Sequence, residues 1–411
     1  WSDWNGTVPQ DGDDVVLGDG SKITIGDYYI NKIRNLTLQS GSELVQKNKL
    51  SQIISGDLVV KSGGTLTHFL NYLPDASFNI DFNIDFSANN IVIESGGAVN
   101  ADLKGFARGD LESDGNGPGK GIYSPMIGWG GGAGHASPGG KARKDGILYV
   151  GGDSYGTEQA ITLGSSGAGS TAKPGGHGGG LVMLSAGSSL SVQGLITSKG
   201  GSGLHKSGAI GGAGGSGGSI RLSGADVIIN GSLSVDGGSG RSKSYTDYCS
   251  GQGSGGYIYI GYEDTLDETN AVYSLLGSKS PQDSNYECGS GDGILTRAQE
   301  DAEENIAMIP DWEIKSFESS ATSLSIDNSG NLYVVGKKIR KFNSEGEEDL
   351  SWNKSFYTEA YGVDTDSSDN VYVVGHSRKK TINDVSYNTT QMHSDWEVVK
   401  YSPSGDELWS K

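Results

Sequence analysis

Apolar and polar residues alternate in short runs along most of the chain. Three of these runs share one layout: "NLTLQSGSELV" (35–45), "DLVVKSGGTLT" (57–67) and "NIVIESGGAVN" (90–100). In each, an alternating strand is followed by a Ser-Gly turn and a second short strand. A period of two predicts half-buried β-strands, and regular turn residues between them predict an all-β protein. The acidic stretch "TRAQEDAEENIAMI" (296–309) is the exception: it favours helix and reads as a connector.

The runs repeat at long range. "GGLVML" (179–184), "GGSIRL" (217–222) and "GGYIYI" (255–260) recur every 38 residues, and "SLSVQGLITSKGGSG" and "DVIINGSLSVDGGSG" follow the first two. In the leaner N-terminal version, Leu36 to Leu58 is 22 residues and Leu58 to Ile91 is 33. A repeat of strand, turn and strand about this long is the size of one coil of a parallel β-helix, whose apolar faces are buried only against neighbouring coils. The predicted fold is therefore all-β: a parallel β-helix (solenoid) with glycine-rich arms, followed by a partial β-propeller-like module. The expected divisions are 1–104 for an N-terminal cap and coils, 105–295 for the glycine-rich coils, 296–310 for the acidic connector, and 311–411 for two C-terminal repeats. The Trp1–Gly18 segment, with Trp4 and Pro9, is expected to cap the first coil.

Glycine changes the picture most. Of 68 glycines, 47 fall between residues 105 and 261. "GGAGGSGGSIRL" (211–222) contains G-x-G-x-x-G (Gly212, Gly214, Gly217), but the glycines open a strand and no helical period follows, so the dinucleotide-binding context is missing. The arms "KPGGHGGG" (173–180), "GGAGGSGG" (211–218) and "SGQGSGG" (250–256) are expected to pack into a wall. Glycine suits such a wall because it has no Cβ and takes positive φ at little cost.

Charge and cysteine content narrow the class. With 31 Lys and Arg against 50 Asp and Glu, the net charge is −19. That argues against nucleic acid, which is bound through cationic side chains on phosphates, and against anionic glycans. No apolar run is long enough for a transmembrane helix. The chain starts at Trp1, which reads as a mature form whose secretion signal has been removed. Cys249 and Cys288, each among turn residues, fit a single disulfide in an exported protein.

Candidate chemistry is sparse. In "FNIDFNIDF" (78–86) the alternation sets Asn79, Asp81, Asn83 and Asp85 on one face, a ladder that suits glycan binding, strand assembly or simple solvation. Asp81 and Asp85 lie about 13 Å apart along a strand, too far for a glycosidase carboxylate pair. Asp11, Asp13, Asp14 and Asp19 are the calcium candidates, without the spacing of an EF-hand loop. His135, His177 and His205 lie on glycine arms and read as exposed loop residues, with shared metal ligation as the alternative. No catalytic triad order or nucleophile elbow is present.

Two resemblances sharpen this reading. The opening, with Trp4, Val8-Pro9 and Gly12-Asp13 ahead of the first coil, resembles the start of bacterial secreted parallel β-helix proteins. Residues 128–262, with "GGGAGH", "YGTEQAITLGSSGAG" and the repeated "GGLVML" units, are similar to a glycine-rich β-helical module of large exported bacterial proteins. At the C-terminus, "SLSIDNSGNLYVVG" (323–336) and "GVDTDSSDNVYVVG" (362–375) align at an offset of 39, and "IRKFNSEGEEDLSW" (339–352) matches "VVKYSPSGDELWSK" (398–411). These resemble the β-propeller-type repeat of bacterial surface proteins, with turns at Asp327–Gly330 and Asp366–Asp369.

The resemblances imply a non-enzymatic surface or filament-forming protein outside the cell, possessing no cofactor and self-associating or meeting other surface components. The alternative is a secreted β-helix that binds, or less readily cleaves, a polysaccharide. Two repeats are too few for a closed propeller. Tyr333, Val335, Tyr372 and Val374 are therefore expected to lack partners unless the chain continues or another subunit completes the module.

Overall fold

The computed structural model describes residues 9–300, apart from 27–32, 72–81, 158, 206–210, 241–247 and 280–287. It also describes residues 322–411, apart from 337, 344–347, 350–351, 353, 356–358, 367 and 381–391. The described residues are all β and irregular structure, with no α-helix. The chain divides into two compact units, Trp1–Asn305 and Ile306–Lys411.

The first unit is organised by two large parallel sheets that take strands alternately from the chain. Sheet I contains Asp14–Leu17, Asn35–Leu38, Gln52–Val60, Ile84–Ile93, Leu181–Val192, Ser219–Ile229, Tyr257–Asp267 and Ile294–Gln299, hydrogen-bonded in that order. Sheet II contains Lys22–Ile25, Glu43–Gln46, Thr65–His68, Ala98–Asn100, Leu195–Thr197, Ser232–Ser234 and Val272–Ser274, also in chain order. Every pair in both sheets is parallel, and the register follows the sequence repeats. Leu36 faces Leu58, which faces Ile91, so the sequence steps of 22 and 33 are rungs of one ladder. Val182, Ile220 and Ile258 are likewise consecutive partners, which is the step of 38.

These registers make columns of like residues. Leu36, Leu58, Ile91, Leu190 and Val227 line the inner side of sheet I. Ile23, Leu44, Leu66, Val99, Ile196 and Leu233 do so in sheet II. All are buried in one hydrophobic core. Each such side chain contributes about 1.5–3 kcal/mol on burial, and each column loses a contact above and below if one member is truncated. At the turns joining the two sheets, Gly41, Gly63 and Gly96 have φ of 71°, 79° and 82°, which only glycine adopts freely. They also bond to one another, Gly41 N–H to the Gly63 carbonyl and Gly63 N–H to the Gly96 carbonyl (2.9 and 2.8 Å).

The sheets differ from the sequence expectation in three places. Asp14–Leu17 is already the first strand of sheet I, paired with Asn35–Leu38, so that part of the expected cap belongs to the sheet. Trp4 lies outside the described residues. The boundary expected at 104/105 does not interrupt sheet I, because Ile84–Ile93 pairs directly with Leu181–Val192. The connector expected from 296 begins as strand: Ile294–Gln299 pairs with Tyr257–Tyr262, and Leu295 packs on the core. Pairing to an exposed sheet edge overrides the local helix preference there, and residues 301–321 lie outside the description.

The glycine arms do form a wall, with a geometry the sequence reading lacked. In the arm 211–218 the backbone N–H groups turn to three neighbouring segments in rotation. Ala213 and Ser216 donate to the carbonyls of Ala168 and Ser165, both at 3.0 Å. Gly214 and Gly217 donate to Gly251 and Ser254 (3.0 and 2.9 Å), and Gly215 and Gly218 to Gly201 and Ser198 (2.9 and 2.8 Å). The arm 250–256 repeats the rule: Gly251 and Ser254 donate to Gly130 and Ala133, Gln252 and Gly255 to Cys288 and Gly291, and Gly253 and Gly256 to Gly238 and Val235. A three-residue period with no internal bonds is the geometry of an extended threefold helix, whose donors and acceptors all point outward.

This lattice explains the composition. A methyl group at Gly214 would fall on the Gly238 carbonyl, at Gly215 on that of His177, and at Gly217 on that of Val235. Ala213 and Ser216, three apart, have room for a Cβ and are completely buried. The arm "GGAGGSGG" therefore has a period of three that its glycines conceal. The expected use of positive φ is not found here: none of the described arm glycines in 173–180, 212–218 or 250–256 has it. Glycine is required in these arms for its missing side chain.

Gly214→Ala is therefore expected to destabilise the protein by at least about 3 kcal/mol, the upper range for overpacking a rigid site. Gly18→Ala, where a Cβ meets nothing within 4 Å, stays within about 0.5 kcal/mol of wild type, the range for neutral surface changes. Denaturant midpoints of the two variants check this, and equal stabilities would remove the packing argument.

Candidate assembly surface

The residues singled out from sequence do not gather into one site. Among the described residues no group of three or more His, Cys, Asp or Glu is placed to hold a metal ion. Of the calcium candidates, Asp14 is committed to Arg34 and to Asn35 Nδ2 (2.8 Å), and the Arg34 guanidinium lowers its pKa. Asp13 accepts from the Gln10 N–H at 2.8 Å, closing a turn, while Asp11 and Asp19 are exposed.

Asn79 and Asp81 lie outside the described residues, so the polar ladder is seen at Asn83 and Asp85. The solvated face expected there is not present. Asn83 is buried, and its Oδ1 has no hydrogen-bond partner. Asp85 is half-buried and accepts from Ser51 Oγ at 3.0 Å, with burial raising its pKa. The two residues border a buried polar corner. There Gln46 Oε1 accepts from the Asp85 N–H (2.9 Å) and Asn71 bridges the Phe82 N–H and the Lys104 carbonyl (2.9 and 2.8 Å). Such amides satisfy turn backbone that sheet pairing leaves over, and this gives the corner a structural role.

The histidines also depart from expectation. His135 is completely buried. Its Nδ1 lies 2.7 Å from the Gly217 carbonyl and its Nε2 2.8 Å from Thr162 Oγ1. The ring lies between Tyr155 and Tyr257 at 4.7 and 4.9 Å, so it pins the wall to sheet I. His177 is half-buried and accepts from the Arg108 N–H (3.2 Å), and His205 alone is exposed. Cys249 and Cys288 stand at disulfide distance, with Cα atoms 6.3 Å apart.

The second unit contains the surface that the sequence did not reveal. Sheet III is built from Ser323–Ile326, Leu332–Val335, Lys338–Phe342 and Lys354–Ser355. Sheet IV is built from Glu359–Thr365, Val371–Lys380, Met392–Tyr401 and Glu407–Ser410, and both sheets are antiparallel in chain order. The expected turns are present, and they are copies. Asp327 Oδ1 accepts the N–H groups of Ser329 and Asn331 (3.0 and 2.8 Å), and its Oδ2 accepts Tyr333 OH (3.0 Å). Asp366 does the same with Ser368, Asn370 and Tyr372 (3.0, 3.0 and 3.1 Å). Gly330 and Asp369, at equivalent positions, both have positive φ (79° and 60°).

Sheet III packs one face on sheet IV. Tyr333, Val335, Ile339 and Trp352 meet Ala360, Val371, Val373 and Val399 in a shared buried core. Trp352 stacks edge-on with Tyr333 and Tyr401 (5.0 and 5.7 Å), and its Nε1 donates to the Pro403 carbonyl (3.1 Å). Tyr333 and Val335, expected to lack partners, are thus fully covered. The partners come from the second repeat itself, which sequence offsets alone do not orient.

The far face of sheet IV is open. Val374 lies opposite Val398, and His376 opposite Trp396. Trp396 is 65% exposed, and Tyr361, Val398 and Trp409 are exposed beside it. The rings of Tyr361, His376 and Trp396 form a cluster with centroids 4.3–5.7 Å apart. Tyr372 and Trp409 form a second pair at 6.1 Å, with Lys400 Nζ 4.7 Å from the Tyr372 ring. The alternation "DWEVVKY" (395–401) sets Trp396, Val398 and Lys400 on one side, and that signal marks the face in sequence. No protein-family model matches the chain, and no curated protein matches it.

The buried histidines give a pH dependence with a definite sign. Burial lowers the pKa of His135 to about 4 and that of His68 to about 3. An unfolded chain with ordinary imidazoles near 6.5 binds protons that the folded chain refuses. Their contribution to stability is complete above pH 6.5 and falls as pH drops through 6.5 towards 4. The raised pKa of Asp85 acts in the opposite sense over part of that window. Melting temperatures measured between pH 7.5 and 4 are expected to fall, with a shallower slope in His135→Gln. An unchanged slope in that variant would show that His135 is not held neutral by the fold.

Proposed function

We propose that this chain is an exported, non-enzymatic structural protein whose first unit is a parallel β-helix and whose second is a pair of propeller-type repeats. The observation that carries the reading is the register. Strands taken alternately from the chain stack in order in two parallel sheets, with like residues in columns and turn glycines bonded rung to rung. That register supports a solenoid, a fold in which each coil is stabilised by its neighbours. In the second unit, the shared turn chemistry of Asp327 and Asp366 and the face-to-face packing of two four-stranded antiparallel sheets support adjacent propeller blades.

Location outside the cell fits the cysteine pair and the composition. No helix among the described residues is long and apolar enough to cross a membrane. A disulfide persists in oxidising compartments. Here it would join the wall arm at Cys249 to the returning segment at Cys288, whose carbonyl also accepts the Gln252 N–H (3.0 Å). Glycan binding stands as the alternative; of its candidate ladder Asn79 and Asp81 lie outside the described residues, and Asn83 is buried. The role proposed first is structural, in a chain that self-associates into filaments.

Two measurements test this. Thiol titration of the denatured, unreduced protein is expected to find no free thiol. Reduction is expected to lower stability by about 4 kcal/mol, the chain-entropy value for a sequence separation of 39; two free thiols would remove the argument for export. Negative-stain electron microscopy of the full chain is expected to show filaments. Particles that stay single at high concentration, together with cleavage of a glycan substrate, would overturn the structural reading.

A further inference from the structure

Sheets III and IV are two copies of one repeat, and they are covered unequally. The offset of 39 makes Tyr372 and Val374 the counterparts of Tyr333 and Val335, and the match of 339–342 to 398–401 makes Val398 the counterpart of Ile339. The aromatic pairs correspond as well. Trp352 stands edge-on to Tyr333 as Trp409 does to Tyr372, with Lys341 over Tyr333 as Lys400 is over Tyr372 (5.5 and 4.7 Å). In sheet III this set is buried under sheet IV. In sheet IV the same set is less covered: Val398 is 36% and Trp409 40% exposed, and Tyr372 and Val374 are half-buried.

The covering surface has its own copy. Sheet IV covers sheet III with Val371, Val373 and Val399, flanked on the same face by Val363 and Thr365. Their counterparts in sheet III are Leu332, Val334, Arg340, Leu324 and Ile326. Val334 is already buried, but Leu324 and Ile326 are exposed, Leu324 to 64%. One unit therefore displays the receiving half of that contact on sheet IV and the margin of the covering half at Leu324 and Ile326, with Arg340, ion-paired to Glu348, standing where sheet IV has Val399.

We propose that the open face of sheet IV receives sheet III of a second copy of this chain, packed as sheet IV packs on sheet III. The inference rests on the self-associating role proposed above and names the surface responsible for it. Such a contact is heterologous: the face used on one copy stays free on the other, so addition continues into a ring or filament. The shape of the face is set by the repeat.

The test uses two full-length variants, one blocked on each face: Val374→Lys with Val398→Lys, and Leu324→Lys with Ile326→Lys. By sedimentation velocity the wild type is expected to grow beyond a dimer with concentration, while each variant alone stays monomeric. An equimolar mixture is expected to give a dimer and stop there, because one competent face remains on each variant. Far-UV circular dichroism and melting establish that the variants are folded. If either is not, concentration-dependent hydrogen-exchange protection of 323–326 and 371–376 in the wild type provides the same readout.

A monomeric wild type, variants that associate like the wild type, or a mixture that stays monomeric would each overturn the proposal. So would a monomer whose sheet IV face is protected by an added glycan. Filaments that persist in both variants would overturn this contact and leave the structural role standing.

Discussion

The first unit depends on one steric condition: the glycine arms must have no Cβ where they meet a neighbouring carbonyl. A backbone segment buried on all sides must pair every N–H and carbonyl. A sheet does this with two neighbours, whereas the arm 211–218 does it with three, turning by a third of a circle at each residue. Segments so arranged approach closely enough that a methyl group at Gly214, Gly215 or Gly217 would strike a carbonyl. The entropy lost on ordering so much glycine is large. It is offset by this complete hydrogen bonding and by the apolar strands that each arm enters.

The wall and the core are therefore one cooperative object. The arm 211–218 runs without a break into Ser219–Ile229, whose Ile220 and Leu222 are fully buried between like residues of the strands before and after. The register of the strands fixes that of the arms, and the reverse also holds. His135 ties the two together, since its imidazole meets the Gly217 carbonyl while its ring packs between two tyrosines, one of them Tyr257 at the start of the next strand. A neutral imidazole can accept at one nitrogen and donate at the other. The Gly217 carbonyl takes the donor and the Thr162 hydroxyl can serve the other nitrogen in either sense, so it is burial that keeps the ring neutral.

Much of this was legible in the sequence, for physical reasons that also mark where legibility ends. The steps of 22, 33 and 38 residues became strand registers because like residues stack in parallel ladders, so a repeat is a direct record of pairing. The Ser-Gly turns at Gly41, Gly63 and Gly96 could be read because positive φ demands a particular residue. The threefold rotation of the arms could not be read as easily. Period is normally carried by side chains, and here Ala213 and Ser216 alone carry it. Burial of Asn83 and His135 was missed because polarity predicts exposure only where backbone groups already have partners. His135 takes up the Gly217 carbonyl, and beside Asn83 it is Gln46 and Asn71 that satisfy the turn backbone, so the Asn83 Oδ1 itself has no partner. Cover over Tyr333 and Val335 was missed for a different reason: an offset of 39 says that two sheets are alike but not which faces meet.

The two units manage their boundaries in opposite ways, which bears on how the chain would associate. Strand edges invite pairing with another chain, and charged side chains and ion pairs discourage it. At one end of sheet I the Asp14–Arg34 pair lies across the first two strands. At the other, Arg297 on the last strand is bound to Glu268 at 2.6 Å, and Glu300 accepts from Tyr259 OH at 2.6 Å. Those edges are dressed with charge, so extension of the parallel sheets by strand addition is disfavoured. On the far face of sheet IV the Lys400–Asp366 pair lies at one end, and beyond it Val374, Val398, Trp396 and Tyr361 lie together. A surface of that kind gains by being covered face to face. In the proposed contact, association would be directed away from the charged edges of the parallel sheets and onto a sheet face that another sheet of the same repeat fits.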